Sequence, residues 1–66
     1  MTALIFDQET MNLLAEVTDA ETVEDLGRYC DAPDAGFIDA ADAVALLPEL
    51  AGVTGELLIS LCDVDS

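Results

Sequence analysis

Residues 54–64, Thr-Gly-Glu-Leu-Leu-Ile-Ser-Leu-Cys-Asp-Val, decide between two folds. Leu57, Leu58, Leu61 and Cys62 make a helical stripe with Thr54 as its cap, yet Leu57, Ile59 and Leu61 also alternate as in a strand. A strand here needs a partner, and the apolar run Ala3 to Phe6 is the candidate. That run is short for anchoring a sheet alone. The stretch is therefore read as a helix, and the chain as an all-α bundle of three to five short helices. A small α+β fold with terminal strands is the second reading.

The segments before it support the helical reading. Asp39 is placed to cap a helix from about Ala40 to Leu47, with Ala40, Ala43, Val44 and Leu47 inward, and Pro48 ends it or opens a short turn at N1. Asp31-Ala-Pro-Asp-Ala-Gly36 reads as a loop in which Gly36 supplies a positive φ. Thr18-Asp19-Ala20-Glu21 fits a capping box. The helix it opens has Val23, Leu26, Tyr29 and Cys30 on one side and Glu21, Glu24, Asp25 and Arg28 on the other, with Glu24 and Arg28 paired at i, i+4. Asp7 is an expected N-cap for a further helix through Met11, Leu14, Ala15 and Thr18.

Composition narrows the functions. The chain has 66 residues, 15 Asp plus Glu against one Lys plus Arg, no His and a net charge of −14. That length is one domain, residues 1–66, and the missing His and Lys remove most general bases and Schiff-base amines. There is no basic footprint for direct binding of nucleic acid or anionic lipid. An apolar share of 53% and a mean hydropathy of +0.45 separate the chain from acidic disordered tails. Cys30 and Cys62 lack zinc spacing and are expected as reduced, buried thiols. Met1 to Phe6 lacks a basic flank and runs straight into Asp7, so no signal peptide is read, and no apolar stretch is long enough to span a bilayer. A soluble cytoplasmic protein is expected. A dimer would gain core but gather like charges, which favours a monomer.

Asp31, Gly36, Ile38, Asp39 and Asp42 match positions of a calcium-binding EF-hand loop, but Pro33 and Ala35 stand where oxygen donors belong. No metal and no cofactor are expected. Paired carboxylates, with so many acids present, arise by accident, and no enzyme is inferred. Cys30 continues the Val23–Leu26 stripe and is read as packing.

The charge itself remains. Asp19 to Asp42 holds eight acids against one Arg. A salt-loving host or a basic partner would each explain a surface of one sign. In size, charge and lack of catalytic groups the chain resembles the small acidic inhibitors of phages and mobile elements, including DNA-mimic anti-CRISPR proteins; the resemblance is one of composition and rests on no motif. It implies a non-enzymatic module that blocks a basic nucleic-acid-binding surface on a target protein. Antitoxin-like neutralising modules and halophile regulatory domains are the alternatives. Carboxylates at i, i+3 and i+4 lie roughly 5–6 Å apart, a stand-in for successive phosphates. Glu21, Glu24 and Asp25 have that spacing, and Asp31, Asp34, Asp39 and Asp42 are expected to extend the same edge to the partner.

Overall fold

Leu57 to Cys62 lie opposite Asp7 to Thr2, residue for residue, as an antiparallel pair. The computed structural model describes residues 1–62, and Asp63 and Val64, the end of the expected last helix, lie outside them. In chain order the elements are β1 (Thr2–Asp7), β2 (Leu13–Val17), α1 (Ala20–Gly27), β3 (Ala35–Asp39), α2 (Ala40–Leu46), a 3-10 turn (Pro48–Leu50) and β4 (Glu56–Cys62). The strands form one antiparallel sheet in the order β2-β1-β4-β3. The all-α bundle is thus overturned, and the α+β reading with paired terminal strands is the fold.

Three expected features change with it. The expected first helix is a hairpin, in which the Asp7 carboxylate accepts from the N–H groups of Glu9 (2.8 Å) and Thr10 (3.4 Å) and the Asp7 N–H donates to the Asn12 carbonyl (2.9 Å). Met11 takes a positive φ of 61° to close that loop. The register then slips by one residue, Ile5 facing Ala15 and Phe6 facing Leu13, so Leu14 is left unpaired in a bulge. Residues 35–39, read as loop and cap, are the edge strand β3. Gly36 there is not a turn glycine: a Cβ would fall against the Cys30 Cα and, at 2.7 Å, the Tyr29 carbonyl oxygen. It lets the strand pass against the end of α1.

The two remaining helices form where expected. Asp19 caps α1, accepting from the Thr22 N–H (3.0 Å) and hydroxyl (2.8 Å), so Thr22 fills the place in the box expected for Glu21. Asp39 precedes α2 without a side-chain cap bond, and Pro48 opens the 3-10 turn.

Both helices cover one face of the sheet. Ala3, Ile5, Ala15, Val17, Ile38, Leu57 and Ile59 meet Val23, Leu26, Ala40, Ala43, Leu47 and Leu50 in a single core. The alternate residues of the strands look the other way. Among them Leu13, Phe6, Leu58 and Phe37 stand opposite one another across all four strands, in one transverse row.

Candidate functional site

The acids of interest divide by the element that carries them. Glu21, Glu24 and Asp25 stand on the side of α1 opposite buried Val23 and Leu26, with Glu21 and Glu24 exposed. Backbone bonds from Arg28, Tyr29 and Cys30 to Asp25, Leu26 and Gly27 prolong the helix by one tighter turn, so Asp31 follows directly and Asp34 enters β3. The Asp34 carbonyl accepts from the Leu61 N–H (2.8 Å), fixing this loop to the end of β4. These five acids follow one another in the chain along α1 and its exit loop.

Asp39 and Asp42 do not join them. Asp39 is the last residue of β3 and Asp42 lies beyond it, and the five steps of the strand at about 3.3 Å each separate Asp34 from Asp39 by roughly 16 Å. The same extension takes apart the match to a calcium loop, because a strand lies where that loop must wrap an ion. Among the described residues no three His, Cys, Asp or Glu side chains gather to hold a metal. Asp39 instead faces Glu56 across the β3–β4 pair, a like-charge couple on the uncovered face.

Arg28 pairs with Asp25 rather than with Glu24, at 3.9 Å, and both side chains are well exposed. Such a contact contributes little and leaves the arginine free to let go. Asp19 is held differently: the Thr22 hydroxyl and N–H keep its carboxyl below its ordinary value, which ties that charge to capping. The Cys30 thiol is pushed up by burial and then by the charges of Asp31 and Asp34. It lies 3.7 Å from the Leu26 carbonyl, packed against the core, and is a poor nucleophile. Cys30 and Cys62 are both free and half-buried, less enclosed than expected. Two open grooves of about 570 Å³ beside α2 and about 400 Å³ between α1 and Leu61 are lined mainly by small apolar side chains.

No family model, curated protein or solved structure matches this chain. Among the described residues no helix is long and apolar enough to cross a membrane.

One surface escaped the reading of the sequence. Leu13 and Phe37, at 55% and 48% exposure, close the two ends of the transverse row, with half-buried Phe6 and Leu58 between them. The signal was present as Leu-Ile-Phe in 4–6 and Leu-Leu-Ile in 57–59, apolar on both faces of what become the central strands. A continuous apolar run shows no period, so it does not tell a strand with two apolar faces from a buried helix.

Proposed function

We propose that this chain is a non-enzymatic binding module that occupies a basic, nucleic-acid-binding surface on another protein, in the manner of a DNA-mimic inhibitor. The observation that carries the reading is α1. It presents Glu21, Glu24 and Asp25 to solvent at one helical spacing, with a single, weakly held Arg28 beside them. Asp31 and Asp34 continue the stretch, while Asp39 and Asp42 fall outside it. Neighbouring carboxylates on the helix stand roughly 5–6 Å apart, close enough to engage Lys and Arg already arranged for a phosphate backbone. Complementary charge speeds encounter and makes the complex salt-sensitive. The module would work in the cytoplasm, where Cys30 and Cys62 stay reduced.

The test is capture from a lysate of the source cell on the immobilised protein, eluted with a salt gradient and challenged with duplex DNA or RNA. Mimicry gives one nucleic-acid-binding protein that free nucleic acid displaces. The joint variant Glu21→Gln, Glu24→Gln, Asp25→Asn, Asp31→Asn and Asp34→Asn should lose it. A partner that stays bound to that variant would show the acidic stretch to be a solvated face and nothing more.

A further inference from the structure

We propose that the uncovered face of the sheet is a second docking surface, and that it takes a cationic amphipathic helix of another protein. The apolar part is the row Leu13–Phe6–Leu58–Phe37, which crosses four strands in register. Three inter-strand steps of roughly 4.8 Å make it about 14 Å long. A helix rising about 5.4 Å per turn sets apolar side chains along that length in two to three turns. Its two ends are the most exposed of the four side chains, so an arriving partner removes from water what folding leaves wet.

Charge names the partner. The acids on this face are Glu16 opposite Leu4, and Asp39 opposite Glu56, the last two forming a like-charge couple one step beyond the row. The one Arg, Arg28, is on the helix-covered side, so the apolar row has an anionic border and, among the described residues, no Lys or Arg beside it on this face. Lys or Arg flanking the apolar stripe of a helix would neutralise Asp39 and Glu56 while its Leu or Phe side chains cover the row. A second copy of this chain would bring the same acids together, and an anionic lipid surface would be repelled. The sheet edges offer less: β2 is bulged at Leu14, and β3 has only five residues, preceded by Asp34 and ending at Asp39. The helix-bearing side is not involved, so this inference stands or falls separately from the role given to α1.

The probe is a labelled Leu/Lys peptide of about 14 residues with leucines on one helical face, compared with a permuted peptide of identical composition that has no apolar face. Fluorescence anisotropy at physiological salt should show the patterned peptide binding roughly ten-fold tighter or more. Leu13→Ser with Phe37→Ser, both at exposed positions, should abolish the difference without changing the circular dichroism. Should that pair disturb the fold, Leu13→Ser alone is read in the same way. Neutralising Glu21, Glu24 and Asp25 should leave the difference intact. Equal binding of the two peptides, or indifference to the serine substitutions, overturns the proposal. So does a native dimer in sedimentation that the serine variant converts to monomer, which gives the face to a second copy. Zwitterionic vesicles that retain the native protein and not the variant would give it to lipid, again against the proposal.

Discussion

Gly36 sits where β3 passes the turn that ends α1, and its missing side chain sets how closely the two backbones approach. Gly36→Ala pushes a methyl group into the Cys30 Cα and the Tyr29 carbonyl, neither of which is the tip of a flexible chain. The expected loss is about 1–3 kcal/mol, read as a lower urea midpoint at unchanged slope. A neutral result would mean that the strand lies further from the helix end. Cys30, one of those neighbours, gives a second residue-level outcome. Its thiol is raised by burial first and by Asp31 and Asp34 second. In a Cys62→Ser background, alkylation of Cys30 should therefore rise with pH later than that of a free thiol. Asp31→Asn with Asp34→Asn removes negative charge, stabilises the thiolate and moves that rise to lower pH, but only part of the way. If the rise does not move, the two carboxylates do not act on the sulfur. The glycine was visible in the sequence and its purpose was not. Proximity between residues 30 and 36 depends on a strand that follows the loop at once, and a Pro-Asp-Ala-Gly string reads locally as a turn.

At the level of elements, the β3–β4 pair carries an avoidable penalty. Asp39 and Glu56 face each other directly, where like charges are unfavourable. Glu56→Lys should raise stability by about 0.5–1 kcal/mol at low ionic strength, with the gain shrinking as salt is added. Equal urea midpoints for the two proteins would show both carboxylates to be solvated out of each other's reach. The helices were legible because their signals are local: Asp19 before Ala20, Asp39 before Ala40, and a Val23–Leu26 stripe that one turn of helix explains. The strands were not, for two separate reasons. In β2, Leu14 and Ala15 fit a helical step with Met11 and Thr18, and the bulge breaks the plain alternation that would have contradicted it. In β1 and β4 apolar residues stand on both faces, so residues 57–62 fit a helical stripe as well as a strand alternation, and only their pairing with residues 2–7 decides. A short N-terminal run does not anchor a sheet alone, and β1 is not alone. Residues 13–17 and 35–39 flank the central pair and share its hydrogen bonds.

For the molecule as a whole, charge and burial pull against each other. A net charge of −14 on 66 residues opposes a small core in which four of the thirteen buried apolar residues, Ala3, Ala15, Ala40 and Ala43, are alanines. The melting temperature should therefore climb between low salt and roughly 0.5 M sodium chloride, as the screening length falls below about 10 Å. Sulfate would confound the reading by strengthening apolar burial, so chloride is the salt to use. A flat profile would mean that the acids are too widely spaced to strain the fold. The acidic character of the surface was legible from composition alone; its division between α1 with its exit loop and the far end of β3 required the strand that separates them. The central pair of the sheet also sets an order in time. Of the four described strands β1 is made first and β4 last, yet they are neighbours. At about 5–20 residues per second the chain waits several seconds with its first hairpin lacking a second neighbour. Nascent chains halted before residue 56 should remain open to proteases, and residues 53–62 supplied as a separate peptide should close the fold in trans, making assembly of this small protein an event that can be timed.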